Sequence, residues 1–225
     1  MRSGLIKGVG GIGAALIVLM SSPAHAQNRR PAVELPVRIF DLTGQRDDQR
    51  QVALDTAATV MTTAGVRVIW TLCSAAVTSA PDCDRPLRDT ERLVRVMHTS
   101  PPWSRQEGAP MGDSVVDGKS QSGVLATVYG DRVDWMASRA AINPAVLIGR
   151  AIAHELGHLL LGSRHASAGI MRRSWSANDL RCDRPGNWQF TREQVAILAR
   201  LRLIVPPPLP PLPAAPPPSA LHSRR

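Results

Sequence analysis

Asn143-Pro144-Ala145-Val146-Leu147-Ile148-Gly149-Arg150-Ala151-Ile152-Ala153-His154-Glu155-Leu156-Gly157-His158-Leu159-Leu160-Leu161-Gly162 reads as one apolar helix with a marked start and stop. Asn143 suits the N-cap, Pro144 the first helical position, and Gly162 the left-handed residue that ends a helix. Two histidines four residues apart project from one face, one turn apart, so their ring nitrogens can converge on a single ion. Glu155 stands beside them. This is the H-E-x-x-H arrangement, in which two neutral imidazoles bind Zn²⁺ and the carboxylate takes a proton from the water the metal activates. The competing reading is a surface helix whose polar stripe spells the motif by chance. The neighbouring Ala, Ile, Leu and Gly weigh against it, because two His and a Glu on a buried helix are costly unless a partner satisfies them. A metal is such a partner.

Beyond Gly162 the chain presents His165, then Ser167, Gly169, Ile170 and Met171. The whole run resembles the metzincin zinc peptidases, whose extended motif is H-E-x-x-H-x-x-G-x-x-H followed by a methionine-containing turn beneath the metal. The resemblance is dense over residues 150–175 and loose elsewhere. It implies a zincin-like α+β fold: a twisted mixed β-sheet of about four or five strands packed on the active-site helix, with a C-terminal helix closing the lower half. It also implies that His154, His158 and His165 hold one catalytic Zn²⁺, that Glu155 is the general base, and that Met171 forms an apolar floor without ligating. One departure is visible. Two residues separate the second His from the Gly in the family, whereas here Leu159, Leu160 and Leu161 make three. One extra residue turns a helix by about 100° before the chain leaves it. His165 keeps the Gly-x-x-His spacing, so its place as third ligand rests on the resemblance rather than on helix geometry.

Residues 1–26 read as a secretory signal peptide, with Arg2 and Lys7 at its positive start, an apolar stretch from Gly8 to Met20, and Ala24-His25-Ala26 as a small-x-small cleavage site. The apolar stretch is shorter than the roughly 20 residues a bilayer span needs. No stable membrane span is therefore expected, and the exported chain belongs in the periplasm or outside the cell. Gly8-x-Gly10-x-x-Gly13 matches a dinucleotide fingerprint in its letters only, since no strand precedes it and no βαβ unit follows. The formal charge of +9 becomes +7 once Arg2 and Lys7 leave with the signal peptide. No Lys/Arg block with interleaved aromatics is present, so no nucleic-acid partner is expected. Residues 27–205 suffice for a single peptidase domain with a full core. Residues 206–225 change composition abruptly. PPPLPPLPAAPPP cannot enter a helix or a sheet interior and reads as a polyproline-II-like tail. Such a tail either stays solvated or docks on the aromatic groove of a partner.

Within the domain, Val37–Leu42 and Val66–Leu72 read as strands around a helix over Asp47–Thr63, whose Val52, Leu54, Ala57, Val60 and Met61 recur at helical spacing. A β-α-β opening with parallel neighbours follows. Leu93–Thr99 and Gly123–Tyr129 read as a third and a fourth strand, residues 100–121 as an irregular surface loop, and Asp131–Ala140 as a connector with room for a short helix. Thr191-Arg192-Glu193-Gln194 is a capping box opening a helix through about Leu203, expected beside the zinc helix. By the resemblance, the strand before the active-site helix is a sheet edge, which makes Leu125, Ala126 and Thr127 backbone partners for an extended peptide. The alternative is an ordinary strand covered by its neighbours. Arg172 and Arg173 fall, by the same resemblance, where the pocket for the residue after the scissile bond is lined; they either favour an acidic side chain or are simply solvated.

Three cysteines remain in the exported chain. Cys73 and Cys83, at the ends of a ten-residue excursion, are the first choice for a disulfide under oxidising conditions, with Cys182 left over and pairing of Cys182 with either one still open. Tyr129, the sole tyrosine, does not match the tyrosine that some metzincins place after the Met-turn, so no oxyanion donor is assigned. His98 and His222 read as surface histidines.

The expected activity is that of a secreted zinc-dependent endopeptidase with peptide or protein substrates. Two other classes stand beside it. One is a zinc-containing binding protein of the cell envelope without turnover, whose basic surface and proline tail would be its working parts. The other is a zincin fold acting on a non-peptide amide or ester. Glu155 weighs against the first, since a structural site needs no base and tends to fill all four metal positions.

Overall fold

The computed structural model describes residues 33–73, 81–102 and 110–201. The signal peptide expected over 1–26 and the proline-rich tail expected over 206–225, with His222, lie outside the described residues; the C-terminal helix expected through about Leu203 is shorter, ending at Leu198 with Ala199 as its C-cap. In chain order the elements are β1 (Val33–Leu42), α1 (Asp47–Thr63), β2 (Val66–Cys73), α2 (Pro81–Asp84), β3 (Arg92–Met97), β4 (Gly112–Val116), β5 (Gly123–Tyr129), α3 (Gly130–Ala140), α4 (Pro144–Leu161), α5 (Ala177–Cys182) and α6 (Arg192–Leu198).

β1 alternates in the way a half-buried strand must, and Leu35, Val37 and Ile39 are closed to solvent. They share one core with Ala53, Leu54 and Ala57 of α1 and with Leu147, Ile148 and Ile152 of α4. The sheet order is β2-β1-β3-β5-β4. β1 runs parallel to both β2 and β3, β3 parallel to β5, and β4 alone antiparallel, to β5. The β-α-β opening is thus present, and the sheet is mixed but mostly parallel. α1 and α4 approach so closely that a side chain at Gly149 would put its first carbon 2.4 Å from the Ala53 carbonyl oxygen. Only glycine fits that contact. No described helix is long and apolar enough to cross a membrane.

One further segment differs from the sequence-based expectation: the stretch 100–121 contains a strand, β4. The connector after β5 takes the helical form the sequence allowed, as the eleven-residue helix α3. Cys73 and Cys83 form a disulfide, and Cys182 is a free, exposed thiol on α5. The segment carrying Cys83 is held to the sheet by Arg38 of β1, which is buried. Its Nη1 donates to the carbonyl oxygens of Cys83 and Arg85 at 2.9 and 2.8 Å, and its Nη2 donates to Glu91 Oε2 at 3.0 Å. Arg85 closes on the same carboxylate through Nη1 and Nη2, at 2.9 and 3.0 Å. One glutamate, 1% exposed, thereby serves two guanidinium groups.

Candidate metal centre

α4 begins and ends as its residues dictate. The Asn143 side chain accepts a hydrogen bond from the Ala145 N–H at 2.9 Å, Pro144 opens the first turn, and Gly162, at φ +91°, returns its N–H to the His158 carbonyl. Between these ends the helix is buried almost throughout, including His154, Glu155 and His158. His154 Nδ1 lies 2.8 Å from the Ile170 carbonyl oxygen and His158 Nδ1 lies 2.9 Å from that of Gly162. A carbonyl oxygen only accepts, so each Nδ1 carries the proton and each Nε2 is bare. Those two bare nitrogens face each other at 3.0 Å. Two lone pairs at that distance need a cation between them. A tetrahedral zinc site, with Zn–N of about 2.0–2.1 Å, holds its nitrogens about 3.3 Å apart. Protonation does not supply the charge near neutral pH: burial first, with the other two imidazoles adding to it, brings His154 down to about 4 despite the Ile170 hydrogen bond.

The His165 ring closes the group, its centroid 4.7 Å from that of His158 and 5.4 Å from that of His154. One ligand atom from each of the three lies within 4.8 Å of the others. The additional leucine therefore does not carry His165 away, because α4 continues to Leu161 and the positive φ of Gly162 turns the chain back from there. Three neutral imidazoles converging on one point, two of them buried with their outer nitrogens engaged, fit a metal ion.

The segment under the histidines is pinned from several sides. Ala166 N–H donates to the Met171 carbonyl at 2.8 Å and Ile170 N–H to that of Gln189 at 2.9 Å. Gly169 has φ +74°, and a side chain there would run into Gln189 O at 2.3 Å. Met171 is fully buried. Its sulfur sits where a side chain on Gly157 would lie, at 2.3 Å, so the glycine between the two helical histidines makes room for the methionine below. Trp175 stands edge-on to His154 with centroids 5.5 Å apart.

Glu155 faces β4. Ser114 Oγ lies 2.7 Å from Glu155 Oε2 and 3.0 Å from the Glu155 main-chain oxygen. At Gly112 a side chain would come within 2.8 Å of the other carboxylate oxygen, Oε1. The acid is thus held by a serine on one oxygen and given clearance by a glycine at the other. Burial pushes Glu155 up to about 8, the Ser114 hydrogen bond works against that, and Asp113 adds to it. A cation at the histidines acts in the opposite sense and favours the ionised form.

β4 makes β5 an interior strand, the alternative to the edge expected by the resemblance. Leu125, Ala126 and Thr127 pair with Leu93, Val94 and Arg95 on one side and with Val115, Ser114 and Asp113 on the other, so the β5 backbone is saturated. Among the described residues the edge on that side of the sheet is β4. Its residues border a cavity of about 800 Å³ that also contains His154, Glu155, His158 and His165, the Arg132–Trp135–Arg139 face of α3, and Arg172 to Trp175. Arg172 Nη1 pairs with Asp179 Oδ1 at 3.2 Å. Tyr129 is not among the lining residues. It is buried, and its hydroxyl donates to Asp113, causes that in this order hold it above the ordinary phenol value.

No protein-family model matches the chain, and no curated protein matches it. Among solved structures, archaemetzincin from Methanopyrus kandleri aligns with a TM-score of 0.46 and 15% identity, over 77% of this chain and 96% of that one. Metalloproteinase-II from Bacteroides fragilis aligns at 0.48 and 12% identity, over 75% of this chain and 52% of that one. The chain thus spans about half the length of the second.

The three histidines, Glu155, Met171 and Arg172 all meet at this cavity or directly beneath it. Ser114, Gly112 and the α3 face were not found from the sequence. A signal existed for the last of these: Arg132, Trp135, Met136 and Arg139 recur at helical spacing.

Proposed function

We propose that the chain is an exported zinc-dependent endopeptidase, its residues 1–26 a signal peptide and 27–205 the catalytic domain, with His154, His158 and His165 as zinc ligands and Glu155 as general base. The observation that carries this reading is the pair of bare, buried Nε2 atoms 3.0 Å apart, next to a buried carboxylate at the mouth of a cavity edged by an open strand. Bound zinc would polarise the scissile carbonyl and lower the pKa of the attacking water toward about 7. The remaining work falls to the chain. The Nδ1–H bonds to Ile170 and Gly162 hold the two helical imidazoles in the ligating tautomer. The outer edge of β4 pairs with the extended substrate backbone and sets its register. Ser114 keeps one oxygen of Glu155 occupied, leaving Oε1 to take the water proton and later deliver it to the leaving amine.

The test is metal content and hydrolysis of an unfolded protein by the purified chain, with and without a chelator. One zinc per chain and chelator-sensitive cleavage support the proposal. Zinc without cleavage of peptides, amides or esters would favour a binding protein, and absence of zinc binding would overturn the site. Ser114→Ala is expected to lower kcat roughly tenfold, the worth of one hydrogen bond to a charged group, with KM and zinc content unchanged. Equal kcat in the two proteins would remove Ser114 from the mechanism.

A further inference from the structure

The zinc chemistry uses one end of the cavity and leaves its basic wall without a role. On α3, Arg132, Trp135 and Arg139 face the cavity, and both guanidinium carbons lie 5.0 Å from the centroid of the Trp135 ring. Arg172 and Arg173, on the segment after Met171, line the same space. Among the described residues two carboxylates line it, Asp113 and Glu155. Asp113 receives the Tyr129 hydroxyl and Glu155 the Ser114 hydroxyl. Arg172 spends Nη1 on Asp179, while its Nε and Nη2 are buried without a hydrogen-bond partner. Among the described residues no carboxylate pairs with Arg139 or Arg173.

Four guanidinium groups line one cavity and repel one another, and two of them, Arg132 and Arg139, lie over the same indole. The planar fork of N–H donors on each matches a carboxylate better than any other group a peptide carries. A neutral or basic side chain would leave the wall unmatched. On the peptidase reading given above, we infer that this wall selects substrates by a carboxylate close to the scissile bond, and that the protein acts on acidic peptides.

The carboxylate has two sources, an Asp or Glu side chain or a free C-terminus, and matched peptides separate them. Internally quenched peptides would carry Glu, Gln or Leu on either side of the cleaved bond, each with a free or an amidated C-terminus. The Glu peptide is expected to exceed its Gln counterpart at least about tenfold in kcat/KM at low salt, with the margin shrinking as ionic strength rises. In Arg139→Gln and Arg173→Gln the Glu-to-Gln ratio should fall toward one; both residues are exposed, so neither change threatens folding. A drop of similar size on amidation alone would assign the same wall to a C-terminal carboxylate. Equal rates for all these peptides would overturn the inference. The same peptides titrated calorimetrically into the zinc-loaded Glu155→Gln protein decide the matter without turnover. Tighter binding of the Glu peptide supports carboxylate recognition even if the peptidase reading fails, and equal affinities refute it even if that reading holds.

Discussion

Glu155→Gln is expected to lower peptide hydrolysis by about 10³-fold, roughly 4 kcal/mol of transition-state stabilisation, while leaving one zinc bound per chain. The substitution preserves shape and an acceptor for the Ser114 hydroxyl, which lies 2.7 Å from Oε2. It leaves both Nδ1–H bonds of the histidines untouched. What it removes is the capacity of Oε1 to take a proton. Metal analysis, circular dichroism and kcat measured on one preparation separate this from misfolding. A variant that retains turnover within tenfold of the parent would show that another group serves as base.

Glu91→Ala has the largest expected effect on stability. Arg38 is 3% exposed and Glu91 is 1% exposed. Removing the carboxylate strands a buried guanidinium, at a cost of about 3–5 kcal/mol, out of a total that for most domains is only about 5–15 kcal/mol. The melting temperature should fall on the order of 10 °C. The double change Arg38→Met with Glu91→Leu should recover much of the loss, because it removes the stranded charge along with its partner. If the double variant is no more stable than the single one, the pair does not act through charge compensation.

The dependence on pH has a definite sign. Burial pushes the Glu91 carboxyl up, but hydrogen bonds from Arg85, the Arg88 N–H and Arg38 together outweigh it and hold the group below its ordinary value of 4.5. A carboxyl lowered in the folded state stabilises the fold above its unfolded pKa and loses that contribution as the pH drops through the folded one. The gap between parent and Glu91→Ala in denaturant midpoint should therefore be full at pH 6 and close as the pH is taken below about 4. A gap that widened in acid would contradict the assignment.

α4 could be read from the sequence because its signals are local. Asn143-Pro144 and Gly162 mark its ends, and its apolar run is long enough to be unmistakable. The two helical histidines and Glu155 come with it, since the common face of the histidines and the place of Glu155 beside it follow from their spacing. β1, α1 and β2 were legible for the same reason. β4 was not: Gly112, Asp113 and Ser114 have little intrinsic preference for a strand, and the segment is extended because β5 offers it a ladder. Without β4, β5 looked as much like an edge as an interior strand, and the pairing on both its sides settles it as interior. α3 was hidden differently. It starts directly after β5 on Tyr129, which makes no side-chain cap hydrogen bond, so no start signal distinguishes it from a connector. Ser114 belongs to the site only through a contact 41 residues long, which no local pattern carries.

The hydrogen bond from His154 to the Ile170 carbonyl has a kinetic side. Ile170 belongs to a segment closed by the Ala166–Met171 and Ile170–Gln189 hydrogen bonds. That imidazole cannot turn away from a bound ion without giving up its carbonyl partner or opening the segment that carries it. Were an ion bound, its residence time would depend on how often that hydrogen bond breaks or residues 166–171 open, so that exchange would be coupled to the local stability of this segment.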